Sequence, residues 1–248
     1  MRILVTNDDG YQAPGIAALI EAMQGLGEIT VVAPEKNHSG ASSSLTLRNA
    51  IDVHERGERY YIVAGTPTDC IHLALSGNFL PHKPDLIVSG INDGSNMGDD
   101  TIYSGTVAAA IEGHLFNIAA IAFSMANKQV QHFATGAAVA RQLVQHFCAN
   151  PPPGIPLYNV NIPDIALDQL GAIVPTRLGR RHIAQPAVFK KKKENCLTYQ
   201  IGEAGNAKDD APGSDFAAVQ QGMVSVSPLM IDLTATAELD TVADWLKT

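Results

Sequence analysis

The chain has 248 residues, with 17 Lys plus Arg against 25 Asp plus Glu, a net charge of −8. That length suits one large domain whose core needs no staples, and 46% apolar against 17% charged residues excludes a disordered chain. The acidic balance argues against a binder of nucleic-acid polymer that works by neutralising phosphates, although a bound cation can reverse the sign of one local site.

Ile3-Leu4-Val5 is an apolar run stopped by Asn7-Asp8-Asp9-Gly10, which predicts a first strand ending in a polar turn. After Pro14-Gly15, the residues Ile16, Leu19, Ile20 and Met23 recur at helical spacing and predict a helix ending near Gly25 or Gly27. Ile29 to Ala33 reads as a second strand, completing a right-handed βαβ unit with parallel strands. Ile51-Asp52-Val53 and Tyr60 to Val63 flank Arg56-Gly57 as a hairpin. Thr66 caps a helix with Pro67 at its first position and Asp69 in its first turn. Leu86 to Val88 is a buried strand, Gly105-Thr106 lead into a helix, Ile118 to Phe123 is a strand and Phe133 to Phe147 a helix. This alternation predicts an α/β fold: a Rossmann-like, doubly wound sheet in three layers.

The pattern changes near Pro151-Pro152-Pro153. Strand-like stretches follow at Leu157 to Ile162, Ala172 to Pro175, Leu197 to Ile201 and Met223 to Val226, with Lys190 to Lys193 read as a solvated turn. A closing helix carries Leu239, Val242, Trp245 and Leu246 on one face. Residues 1–248 are read as a single domain. Within it, 1–150 form the Rossmann-like core, and 151–248 supply the last core strands, a β-rich hairpin extension and the C-terminal helix. The segment from about Phe189 to Ser227 lacks a core of its own and is expected to mediate oligomerisation. The three cysteines are odd in number and form no C-x-x-C, so they read as buried small hydrophobes of a reducing cytoplasm. The N-terminus does not read as a signal peptide, and no run approaches the roughly 20 apolar residues of a membrane helix, so a cytoplasmic location is expected.

Ligands of open α/β sheets bind beyond the carboxyl ends of the strands. The first strand delivers Asn7-Asp8-Asp9-Gly10 there, the second Glu35 to Gly40, and the Leu86–Val88 strand a loop from Ser89 to Asn96. Adjacent carboxylates repel unless a cation or protons offset them, so Asp8 and Asp9 point to a divalent ion. Taken alone, N-D-D-G is equally good turn chemistry. The ligands on offer are oxygens: the Asp8 and Asp9 carboxylates, the Ser39 hydroxyl and the Asn92 amide. Hard ions such as Mg²⁺, Mn²⁺ or Ca²⁺ suit such a set and structural zinc does not. Tyr103-Ser104-Gly105-Thr106 opens an Ala-rich helix whose N–H groups and dipole suit an anion, although Ser104 or Thr106 can equally be a plain cap. No Walker P-loop and no G-x-G-x-x-G is present. Metal and anion sites on one edge point to phosphoryl chemistry, with Asn96 and the Ser104–Thr106 segment holding phosphate oxygens. Two alternatives stand beside it: a phosphohydrolase with an aspartyl nucleophile, and a non-enzymatic metal-binding signalling module.

Four segments resemble the SurE family of stationary-phase survival proteins. They are Arg2 to Gly10, Asn37 to Thr46, Gly65-Thr66-Pro67-Thr68-Asp69-Cys70, and Ser89-Gly90-Ile91-Asn92 continuing through Gly98 to Ala110. Pro212 to Val219 is similar as well. The resemblance implies a 5′/3′-nucleotidase, a metal-dependent phosphomonoesterase acting on nucleoside monophosphates with Mn²⁺ or Mg²⁺, and in some relatives on short polyphosphate. It implies a C-terminal β-extension exchanged between subunits, hence a homodimer or homotetramer. Carried over by position, Asp8, Asp9, Ser39 and Asn92 match the metal ligands, with Asp8 and Asp9 as the catalytic pair. Asn96, Ser104, Gly105 and Thr106 match the phosphate pocket. Asp93 departs from the small residue usual in the family. His38 reads as a solvated loop histidine, with proton donation to a leaving oxygen as its second reading.

Overall fold

The computed structural model describes residues 1–247. In chain order the elements are β1 (Arg2–Thr6), α1 (Pro14–Met23), β2 (Glu28–Pro34), β3 (Val53–Gly57), β4 (Tyr60–Val63), α2 (Pro67–Ser76) and β5 (Leu86–Asp93). Then come α3 (Gly105–Leu115), β6 (Ala119–Met125), α4 (Phe133–Ala149), β7 (Leu157–Ile162), β8 (Ile173–Pro175) and β9 (Arg180–Arg181). The last are β10 (Val188–Lys193), β11 (Cys196–Gln200), β12 (Ala207–Asp209), α5 (Asp215–Gln220), β13 (Val224–Pro228) and α6 (Leu239–Trp245).

Nine strands form one sheet in the order β3-β4-β2-β1-β5-β6-β7-β13-β8. The run from β4 to β7 is parallel throughout. Parallel strands are covered on both faces, so they read as unbroken apolar runs rather than as alternation. Ile3 and Val5 face one cluster with Val31, Val88 and Phe123, under α1 and α4. Leu4 faces the other with Val32, Ile87 and Ala120, under α2 and α3. That arrangement makes the three layers. Burying each such Leu, Ile or Val is worth roughly 1.5–3 kcal/mol. The order of the sheet reverses at β1, with β2 on one side and β5 on the other, so the switch point lies beyond Thr6 and Asp93.

The structure differs from the sequence expectation at several points. The β3–β4 turn falls at Glu58-Arg59 and not at Arg56-Gly57, because Arg59 takes the left-handed conformation (φ 56°) while Gly57 pairs with Tyr60. β5 does not stop at Val88. A register shift around Gly90 (φ +134°) lets it run on to Asp93, with Asn92 opposite Ser124 on β6. Lys190 to Lys193 are a strand, not a turn, since β10 pairs antiparallel with β11 and Phe189 meets Tyr199 edge-on at 5.5 Å. Of the proposed 189–227 segment, α5 packs on β13, and β13 lies inside the main sheet between β7 and β8. The β10–β11 hairpin and β12, which pairs antiparallel with β9, lie outside the main sheet. Cys70 is buried, but Cys148 and Cys196 are exposed, on the last turn of α4 and on the hairpin. No helix among the described residues is long and apolar enough to cross a membrane.

Candidate functional site

β1 carries Asn7, Asp8 and Asp9 into the switch point. Asn7 closes the turn by donating from Nδ2 to the Gly10 carbonyl at 2.9 Å, while its buried Oδ1 has no hydrogen-bond partner. Asp8 is only 3% exposed. Its carbonyl accepts from the His38 N–H at 2.7 Å, and its carboxylate accepts from the Thr106 hydroxyl. Gly105 lies flat against it: a Cβ there would sit 2.8 Å from Asp8 Cβ and 2.9 Å from Oδ2. Burial raises the Asp8 carboxyl from 3.8 to about 6; the Thr106 hydroxyl opposes this, and the neighbouring Asp9 charge adds to it. Asp9 is half-buried. Its Oδ1 accepts from Asn37 Nδ2 at 2.9 Å and its Oδ2 from the Asp93 N–H at 3.1 Å. Burial raises its carboxyl too, with the Asp93 charge contributing. Among the described residues, no Lys or Arg forms an ion pair with either acid.

Asn37 is a site residue that sequence reading missed. Its Nδ2 holds Asp9, and its Oδ1 accepts from the Ser39 N–H at 2.8 Å and the Ser39 hydroxyl at 2.7 Å. The N-x-S spacing of an Asx-type turn was the available signal. The loop that carries Ser39 is anchored further on. Ser42 donates to the Ile102 and Tyr103 carbonyls at 2.7 and 3.1 Å. Thr46 donates to both Asp69 oxygens at 2.8 and 2.7 Å. Asp69 completes the capping box of α2 with Thr66, so the Gly65–Cys70 segment serves here as a loop anchor. Asn92 lies on β5 rather than in a loop, with Nδ2 donating to the Gly94 carbonyl at 2.9 Å and Oδ1 able only to accept. Asp8, Asp9, Ser39 and Asn92 are thus delivered by β1, the loop after β2, and β5.

The residues expected to hold an anion meet a different arrangement from the open nest expected. Ser104 is the N-cap of α3, accepting from the Val107 N–H at 3.0 Å. The Thr106 hydroxyl and backbone N–H both serve the Asp8 carboxylate. Two of the first three N–H groups of α3 are therefore used within the chain. Asn96 is buried; its Nδ2 donates to Ser124 at 2.7 Å and its carbonyl accepts from Asn159 at 2.7 Å and Asn161 at 3.0 Å. The approach to α3 is braced by Asp215, which accepts from the Gly98 N–H at 2.7 Å and the Gly179 N–H at 2.8 Å. His38 joins the site through its backbone.

No group of three His, Cys, Asp or Glu side chains converges among the described residues. A cation here must mix the Asp8 and Asp9 carboxylates with hydroxyl and amide oxygens, which is the donor set of a hard divalent ion. Two raised carboxyls without a basic partner, beside an unpaired Asn7 oxygen, fit such an ion. Along the outer side of α3 runs a cavity of about 550 Å³, walled by Ile102, Val107, Ile111, Leu229 and Ile231, with Ser42, Ser43, Asp99 and Arg180 among its polar lining.

The family model described as survival protein SurE matches residues 3–185. A crystal structure of the SurE protein from Aquifex aeolicus superposes with a TM-score of 0.88 at 36% identity, covering 100% of both chains. The sheet and its surrounding helices are accordingly those of a known fold, and the chain belongs to the SurE family.

Proposed function

We propose that this chain is a metal-dependent phosphomonoesterase that hydrolyses nucleoside 5′- and 3′-monophosphates. Membership of the SurE family supports phosphatase activity of the nucleotidase kind. The observation that carries the reading is the pair Asp8 and Asp9, drawn up by burial and lacking any basic partner. Asp8, Asp9, Ser39 and Asn92 would hold Mn²⁺ or Mg²⁺. Bound there, the ion supplies charge neutralisation for phosphate oxygens and a lowered pKa for water.

The chain's own residues do the rest. Water attacks phosphorus, the bond to the sugar oxygen breaks, and the nucleoside leaves as the alcohol. Asp9, half-buried, is the acid that water reaches, so its carboxylate takes the proton and passes it to the leaving sugar oxygen, while Asp8 stays behind Thr106 and Gly105. The Gly105 N–H, the Ser104 hydroxyl and the second N–H of the Asn96 amide are the donors left for the phosphate oxygens. The cavity beside α3 takes the organic group, its apolar walls matching a base and its size that of a small-molecule pocket. The β10–β11 hairpin joins subunits: Phe189, Leu197 and Tyr199 are about half exposed on it.

A panel of nucleoside monophosphates and short polyphosphate, assayed with Mn²⁺, Mg²⁺ and EDTA, tests the reading. Release of phosphate that EDTA abolishes is expected. No release with any metal refutes it, and a trapped phospho-enzyme would replace it with an aspartyl nucleophile.

A further inference from the structure

We infer that Thr106 is a positioning residue for the metal ligand Asp8, not a phosphate-binding side chain. Thr106 is fully buried, at 0% exposure. Its hydroxyl has one proton, and that proton goes to Asp8 Oδ1. Its backbone N–H faces the same carboxylate. Gly105 closes the other side, since any Cβ there would meet Asp8 Cβ and Oδ2 below 3.0 Å. The carboxylate is thus held by two consecutive residues at the start of α3.

The chemistry follows from lone-pair counting. Each carboxylate oxygen has two acceptor sites, so a hydrogen bond to Oδ1 fixes the plane of the group and leaves capacity for a cation. A ligating carboxylate is commonly held in this way by an outer partner, and loss of that partner costs about 10- to 100-fold in metal affinity. A hydroxyl committed to Asp8 has no proton left for a phosphate oxygen. Ser104 differs: its oxygen accepts from Val107, so its own proton is still free. The two neighbouring hydroxyls of Ser104 and Thr106 therefore divide the work, Ser104 toward the anion and Thr106 toward the cation's ligand.

The inference rests on the metal-binding reading above, and its test separates the two. Mn²⁺ binding is measured by calorimetry on the wild type, Thr106→Val and Thr106→Ser. Inhibition by inorganic phosphate is measured at saturating Mn²⁺. Thr106→Val keeps the shape and removes the proton; should it fail to fold by circular dichroism, Thr106→Ala takes its place. The expected result is a Mn²⁺ Kd raised about 10- to 100-fold in the Val variant and restored near wild type in the Ser variant, with the phosphate inhibition constant little changed. Unchanged Mn²⁺ affinity in the Val or Ala variant, or weakened phosphate inhibition at saturating Mn²⁺, overturns the inference. A wild type that binds no Mn²⁺ overturns the metal reading itself, and the inference with it.

Discussion

Asp8→Asn should make the metal-free protein more stable while removing its function. Asp8 is 3% exposed, and its carboxyl is raised by burial from 3.8 to about 6. At 1.36 kcal/mol per tenfold change, holding it ionised in the folded state costs about 3 kcal/mol. The folded state therefore binds this proton more tightly than the unfolded chain does. The carboxyl's favourable contribution is complete below 3.8, where both states are protonated, and is lost as pH rises through about 6. Asparagine mimics the protonated carboxyl, and its oxygen can still accept from Thr106. The variant should therefore match the wild type near pH 4 and exceed it by about 3 kcal/mol at pH 8, roughly 6–12 °C in Tm for a chain of this size. Mn²⁺ at about 1,000 times its Kd reverses the order, because such a ligand adds about 4.1 kcal/mol to the protein that binds it. Thermal or urea unfolding in EDTA at several pH values is the assay. A variant that is less stable than wild type in EDTA at pH 8, or whose advantage does not grow with pH, refutes the assignment of an uncompensated buried charge.

Asp9→Asn should lower kcat/KM by about 100-fold or more with an unchanged circular dichroism spectrum, as expected where a cation contributes several kcal/mol; a normal rate sinks its role. Because protons and metal compete for raised carboxyls, Mn²⁺ affinity should fall about tenfold per pH unit below about 6, and a flat profile between pH 5 and 7 contradicts the ligand set. Gln185 and Glu203 are already hydrogen-bonded across the base of the hairpin at 2.8 Å, so removing residues 188–200 with a short Gly bridge should leave a folded chain. Light scattering should then report a smaller particle, and an unchanged mass rejects the hairpin as an interface. Ile111→Trp narrows the cavity beside α3 and should raise KM for nucleoside monophosphates about tenfold while sparing a small phosphomonoester such as glycerol phosphate; equal effects on both would remove the cavity from the substrate path.

How much of the fold could be read from the chain depended on where the deciding contacts lie. β1 is legible because two-faced burial demands an unbroken apolar run, and β7 is found at Leu157–Ile162 as predicted although Asn159 and Asn161 interrupt its apolar residues. α2 is legible because its cap, first-turn proline and acid are neighbours in sequence. β5 is not, because Ser89 and Gly90 look like a loop and only pairing with β6 keeps them in the sheet. The lysine strand fails for the same reason: its partner β11 supplies the aromatic and aliphatic contacts that Lys190 to Lys193 lack. α5, with six residues, is too short for periodicity to register.

The site divides along the same line. Asp8 and Asp9 stand out locally, since two adjacent acids at a strand end need an explanation within a few residues. What holds them does not stand out, because Asn37 reaches Asp9 from 28 positions away and Thr106 reaches Asp8 from 98. An Asn in a polar loop and a Thr at a helix start are ordinary at both places, and only the closed sheet brings them to the carboxylates. Sequence reading assigns Thr106 by its neighbours Ser104 and Gly105, hence to the anion; the fold assigns it by its proton, hence to Asp8. An oxygen's role at a site like this follows from where its proton is used. A residue-type match can locate a hydroxyl, but only the hydrogen bond says which charge it serves.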